Sequence, residues 1–125
     1  LKLVDTTVAI DHLRGDPSAV RLLQDLVTAG EELIGSELSR FELSAGVRPN
    51  ERSGLEDFFA ALTWIPVEEQ IARAAGGLAL KYRKSHAGID DTDYLIAATA
   101  RILGADLLTT NVKHFPMFEG LTSPY

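Results

Sequence analysis

Cysteine is absent from the 125 residues. Its absence removes disulfides, thiolate catalysis and the usual structural zinc sites, and it fits a reducing cytosol. Histidine is scarce, and His12, His86 and His114 are too scattered to form a metal-ligand motif. Long apolar runs are missing. Stretches such as Tyr94–Ala100 fall far short of the roughly 20 residues needed to span a bilayer. No signal-peptide pattern opens the chain, because Lys2 soon gives way to an acidic strand end. The expectation is a cytoplasmic protein without membrane contact. Positive charge is also in deficit, with 12 Lys and Arg against 18 Asp and Glu and a net charge of −6. Such a chain is no polyanion binder as a whole, so a nucleic-acid function needs local basic clusters or metal ions. With no repeats, no low-complexity segments and no linker, residues 1–125 read as one domain. That length buries roughly two-thirds of the unfolded surface without help from a disulfide or a metal.

What is present alternates between strand and helix. "LKLV" is a short apolar strand running into "DTT", where Thr6 or Thr7 caps a helix that closes near Gly15. "DPSAVRLLQDLVTAG" starts a helix with Asp16 as cap, Pro17 in the first turn and Gly30 as terminator. "EELIGS" is a second strand, "SRFELSAGV" and "ERSGLEDFFAAL" are helices, and "TWIPV" is a third strand. A long amphipathic segment covers residues 68–86. A helix then runs from the Asp90–Asp93 cluster to Leu103 and ends at Gly104, "ADLLTT" is a fourth strand, and "LTSPY" is a candidate fifth. Alternation of this kind predicts a parallel α/β sheet covered on both faces. Right-handed crossovers place the strand C-termini on one edge, where open sheets hold their ligands. That edge receives Asp5, Thr6 and Thr7, then Ser36, then Thr109, Thr110 and Asn111.

Carboxylates converge on the same edge: Asp5 at a strand end, Glu42 early in a helix, and Asp91 and Asp93 at another helix start. Each has a structural alternative. Asp5 can simply end its strand. Glu42 lies three residues after Ser39, the spacing of a capping box. Asp91 and Asp93 complement a helix dipole, worth about 0.3–1 kcal/mol each. Three acids in four positions exceed what the dipole rewards, because their repulsion grows as they approach. A bound cation removes it. Hard carboxylate oxygens select Mg²⁺ or Mn²⁺, and "DTDYLI" lacks the glycine and the twelfth-position Glu of a calcium loop. A water-rich octahedral site serves phosphoryl chemistry. A haloacid-dehalogenase-like phosphatase needs a second Asp where Thr7 stands. A receiver domain needs a phospho-acceptor Asp that "TWIPVEE" lacks. Both leave Asp91 and Asp93 without a role.

The blocks "LVDTTVAIDHL", "GSELSRFELSAGV", "DTDYLIAATA" and "LLTTNVKHF", in order over essentially the whole chain, resemble the signature blocks of PIN-domain ribonucleases. They are most similar to those of the VapC-type toxins of bacterial toxin–antitoxin pairs. The resemblance implies a three-layer α/β fold with a mostly parallel sheet of four or five strands and helices on both faces. It also implies a Mg²⁺- or Mn²⁺-dependent endoribonuclease that hydrolyses RNA phosphodiester bonds. Asp5, Glu42 and Asp93 stand at the family's first three acids, and Asn111 at a fourth position that is often Asp. Asp5 and Asp93 are the metal-holding pair, with Glu42 positioning the attacking water. Thr6 and Thr109 match hydroxyls that steady the acids, and Asp91 stands further out. Implied partners are an RNA substrate and a VapB-type antitoxin, with a homodimer or a hetero-oligomer with that antitoxin as the assembly. "LEDFFAAL" offers an apolar face for such contacts or for plain core. The alternative function is a PIN-like module that binds metal and partner but cuts nothing, which Asn111 favours. "KYRKSH" brings Lys81, Arg83 and Lys84 before the acidic turn, and Lys113 follows the fourth strand. These are candidate phosphate contacts, with Tyr82 or Phe115 as candidate base-stacking rings; the competing reading is dipole compensation at a helix end.

Overall fold

The computed structural model describes residues 1–125. Strand β1 (Lys2–Val4) leads into α1 (Thr6–Leu13) and α2 (Pro17–Thr28), then β2 (Leu33–Ser36), α3 (Glu37–Gly46), α4 (Arg52–Ala61) and β3 (Thr63–Ile65). Two long helices, α5 (Glu69–Tyr82) and α6 (Asp91–Leu103), precede β4 (Asp106–Leu108) and a 3₁₀ turn at Val112–His114. The strands are ordered β3-β2-β1-β4 and all pair in parallel.

Chain order explains the layering. From β1 the sheet grows outward through β2 to β3, and then the chain returns across the sheet to place β4 on the far side of β1. Right-handed crossovers in opposite directions put their helices on opposite faces. The strand side chains sort accordingly. Leu3, Ile34 and Leu107 point into a core built with α5 and α6, whereas Val4 and Leu33 point into one built with α1 to α4. Alternation along strands of only three or four residues thus serves two cores at once. The reversal of direction falls between β1 and β4, the place where open α/β sheets leave a crevice for ligands.

Local signals account for most boundaries. Asp16 caps α2 by accepting from Ser18 N and Ala19 N at 2.9 and 3.2 Å, with Pro17 in the first turn. Gly104 ends α6 in the left-handed region at φ 63°, where a side chain is disfavoured. Three expectations are corrected. Helix α3 starts at Glu37 with Ser36 as its cap, accepting from Leu38 N at 3.1 Å, so Ser39 and Glu42 form no capping box. Helix α5 stops at Tyr82, short of His86, and a turn follows in which the Ser85 amide donates to the Tyr82 carbonyl at 3.2 Å. "LTSPY" makes no fifth strand. Pro124 has no N–H for a ladder, and the Tyr125 hydroxyl donates to Asp11 Oδ2 on α1 at 2.6 Å instead.

Candidate active site at the strand ends

Asp5 follows β1 directly, and its amide donates to Leu108 O of β4 at 2.9 Å, which fixes it at the junction of the two strands. It occupies the N-cap position of α1, yet its carboxylate makes no capping bond. The side chain turns toward β4 instead. Oδ2 accepts from Thr109 Oγ1 at 2.7 Å and from Thr7 Oγ1 at 3.2 Å. Asp5 is 4% exposed, and Thr109 is fully buried. Burial pushes the Asp5 carboxyl above its ordinary value, the hydrogen bonds from Thr109, the Thr6 backbone and Thr7 pull against that, and the charge of Asp93 adds to the rise. A buried carboxylate that feels a second one beside it favours a cation as neighbour.

Asp93 lies at the start of α6 and is held by two donors on one oxygen. Asp90 N–H reaches Oδ2 at 3.1 Å, half of a capping box, and His114 Nδ1 lies 2.9 Å from the same oxygen. Oδ1 carries no hydrogen bond within the protein. His114 Nδ1 also lies 2.9 Å from the Asn111 side-chain amide, and Asn111 N donates to Thr109 Oγ1 at 2.9 Å. A continuous polar chain therefore runs from Asp5 through Thr109, Asn111 and His114 to Asp93.

Glu42 joins from the other side. Thr6 Oγ1 stands 2.8 Å from Glu42 Oε1 and 2.9 Å from Ser39 Oγ. The single Thr6 proton goes to one of these, and the Ser39 hydroxyl is able to donate back. Glu42 is exposed and is linked to the site only through Thr6. No three acidic or histidine side chains enclose a metal position by themselves. Asp5 and Asp93 are the two carboxylates whose charges meet there.

Of the other predicted residues, Asp91 turns outward and pairs with Arg83 at the end of α5, with its side chain 83% exposed. Positions two apart on a helix point in different directions, which separates Asp91 from Asp93. Lys81 lies over the Tyr82 ring, Arg83 stands over Tyr94, and Lys84 and Lys113 are exposed. Phe115 is no base-stacking ring, since it is 1% exposed in the core beside Phe118. Tyr82 packs partly against the same core. His114, set aside in the sequence because the histidines are too scattered to form a metal-ligand motif, stands beside Asp93 in the fold. A legible signal existed in "NVKH", because residues three apart eclipse in a 3₁₀ turn.

Away from the acids, a groove of about 510 Å³ opens between α2 and α4, lined by Leu23, Val27, Phe58, Ala61 and Leu62, with His12 at its wall. The Nδ1 of His12 is buried without a partner, and burial lowers the readiness of this ring to take a proton.

The PIN domain family model matches residues 2–117. The chain is 62% identical to "Ribonuclease VapC19" of Mycobacterium tuberculosis over 125 residues, covering the whole of both proteins. It is 44% identical to "Ribonuclease VapC10" of the same organism, covering 98% of this chain and 92% of the relative. Among solved structures, a toxin–antitoxin complex from Klebsiella pneumoniae superposes with a TM-score of 0.83 at 23% identity, covering 100% of this chain and 98% of the other. VapBC2 from Rickettsia felis, bound to a DNA fragment from its promoter, gives 0.82 at 22% identity over 98% and 96% of the two chains. Matched in sequence over nearly its full length and in fold throughout, the chain belongs to the PIN domain family.

Proposed function

We propose that this protein is a Mg²⁺- or Mn²⁺-dependent endoribonuclease that hydrolyses RNA phosphodiester bonds and serves as the toxin of a type II toxin–antitoxin pair, with residues 1–125 acting as one domain. The observation that carries the reading is the pair Asp5 and Asp93, drawn from segments 88 positions apart by number and both brought to the β1–β4 crevice, each with one oxygen tied and the pair mutually repulsive. Relatives that bear the name ribonuclease along the full chain support it.

The residues fit a hard divalent ion, because Asp5 and Asp93 offer carboxylate oxygens and the buried charge calls for compensation. Asp5 and Asp93 are the groups that would hold it. A bound ion supplies a water of lowered pKa and positive charge beside the phosphate. Glu42, exposed and steadied by Thr6, orients the attacking water and accepts its proton. The hydrogen bonds from Thr109 and Thr7 favour the ionised form of the Asp5 carboxyl against the effect of burial. The exposed cations Arg83, Lys84 and Lys113 are the groups that would attract the RNA backbone and offset the net charge of −6. Purified protein incubated with structured RNA and Mn²⁺ is the test. EDTA-sensitive cleavage is expected, lost in Asp5→Ala and Asp93→Ala. Equal cleavage by those variants, or none by the parent, overturns the reading.

A VapB-type antitoxin is the proposed partner, with an amphipathic segment seated in the α2–α4 groove. Val27 lines that groove and is 57% exposed, an apolar surface that a partner helix covers favourably. Val27→Glu is therefore expected to release the partner in pull-down without altering RNA cleavage. No helix is long and apolar enough to cross a membrane, and a cysteine-free chain suits a cytoplasmic location.

A further inference from the structure

Resting on that reading, we propose that His114 is a positioning residue of the metal site: one Nδ1–H ties Asp93 to Asn111, so that Asp93 presents a single fixed oxygen and Asn111 presents its amide N–H₂ and not its carbonyl. An ionised carboxylate can only accept, so a ring nitrogen 2.9 Å from Asp93 Oδ2 carries the proton. The Asn111 amide lies 2.9 Å from the same nitrogen. Two N–H groups facing each other repel, and a half-turn of the amide exchanges its nitrogen for its oxygen at no cost in shape. The carbonyl then shares the Nδ1 hydrogen, and the N–H₂ is left free to meet an anionic oxygen of the substrate.

The mount is stiff enough for this task. His114 N donates to Asn111 O at 3.0 Å within the 3₁₀ turn, and the next residue, Phe115, is anchored in the core and donates to Val112 O at 3.0 Å. The His114 ring is accordingly held from behind by its own backbone. Asp93 Oδ2 takes donors from both Asp90 and His114, which spends that oxygen and leaves Oδ1 alone for an ion. A carboxylate restrained in this way binds through one oxygen, matching the strict octahedron of Mg²⁺. Released, it can swing or chelate with both oxygens. Donors behind ligating carboxylates typically control metal affinity by 10- to 100-fold.

Isosteric replacements test the assignment atom by atom. The amide nitrogen of Asn stands near the place of Nδ1, and that of Gln near Nε2. Mn²⁺ affinity is read without RNA, from the rise in melting temperature across a Mn²⁺ titration, with circular dichroism and the ion-free melt as folding controls. His114→Ala and His114→Gln are expected to bind Mn²⁺ about 10- to 100-fold more weakly, while His114→Asn stays near the parent. At saturating Mn²⁺ the first two are expected to lose kcat with little change in KM for RNA. Parent-like Mn²⁺ affinity in His114→Ala overturns the proposal, as does rescue by Gln as good as by Asn. A lowered ion-free melt with intact Mn²⁺ affinity assigns His114 a purely structural role and overturns it too. If the parent binds and cleaves while all three variants match it, only this proposal fails. If the parent binds no divalent ion, the ribonuclease reading fails and takes the proposal with it.

Discussion

Replacing Thr109 by valine removes one hydroxyl from the centre of the polar chain and leaves the shape almost unchanged. Thr109 is fully buried and serves two partners, donating to Asp5 Oδ2 at 2.7 Å and accepting from Asn111 N at 2.9 Å. Leaving a buried polar group without its partner costs about 1–3 kcal/mol. Thr7 still reaches Asp5 Oδ2 at 3.2 Å, so the carboxylate's loss falls at the low end and the total comes to about 2–4 kcal/mol. At roughly 4 °C per kcal/mol for a domain of this size, the melting temperature at pH 7 is expected to fall by about 8–16 °C. Thr109→Ser keeps the hydroxyl and gives up one methyl group, about 1 kcal/mol, and is expected to sit between the two. The pH dependence sharpens the test. Thr109 holds the Asp5 carboxyl below where burial alone would put it. Its removal raises the folded-state value further, so the destabilisation grows as pH rises through the parent's and then the variant's folded-state value. It is smallest near the unfolded value of 3.8. Thermal melts of the three proteins between pH 4 and pH 8, without divalent ions, supply the measurement. A Thr109→Val melt within about 2 °C of the parent at pH 7, or an equal loss at both ends of the range, refutes the coupling between Thr109 and an ionised Asp5.

Further outcomes follow from the same geometry. Because burial raises the folded-state pKa of Asp5, the contribution of this group to ion-free stability is greatest at acid pH and declines as pH rises from 3.8 through that raised value. Asp5→Asn is expected to remove that decline, melt above the ion-free parent at pH 7, and lose the Mn²⁺-induced rise; differential scanning calorimetry with and without Mn²⁺ reads all three. Gly35→Ala would drive a Cβ to 2.5 Å from Trp64 Cζ3, and the ring is pinned by Nε1 donating to Phe59 O at 2.8 Å and by Arg40 stacked above it. A loss of about 1–3 kcal/mol is expected, with a shift in the emission of the sole tryptophan. Lys84→Ala combined with Lys113→Ala is expected to raise KM for RNA several-fold at low salt and to converge on the parent at high salt. Equal KM values at low salt would remove these lysines from the RNA path.

Much of the fold and part of the site were legible in the sequence, for identifiable reasons. Short apolar strands, glycine terminators and the Asp16–Pro17 helix start are local signals, and the structure places each where its chemistry predicts. The strand ends could be read as a polar edge because parallel order alone brings Asp5 and Thr109 together. Other features depend on orientation, which composition does not carry. Spacing alone does not separate Asp91 from Asp93 in "DTD"; only the family resemblance set Asp91 further out, and the helix turns it toward Arg83 and Asp93 toward His114. The spacing of Ser39 and Glu42 occurs inside a helix as readily as at its start, and Ser36 had already taken the cap. Phe115 sits beside a basic run, yet its ring is large enough that the core claims it. His114 needed two facts that only folding supplies: a tight turn after β4, and α6 lying alongside it.

The strand carrying Asp5 gives Leu3 to one hydrophobic layer and Val4 to the other, with the acid immediately behind them. Both layers therefore gauge the carboxylate's depth, like two jaws of a caliper closed on adjacent rungs. Swapping one aliphatic for another at these rungs changes fit by small amounts, whereas inserting or deleting a single residue ahead of Asp5 exchanges the jaws. Tolerance for altered identity and intolerance for altered length should thus coexist within the same three positions. A library that varies both at β1 would find active clones only among those that keep the count.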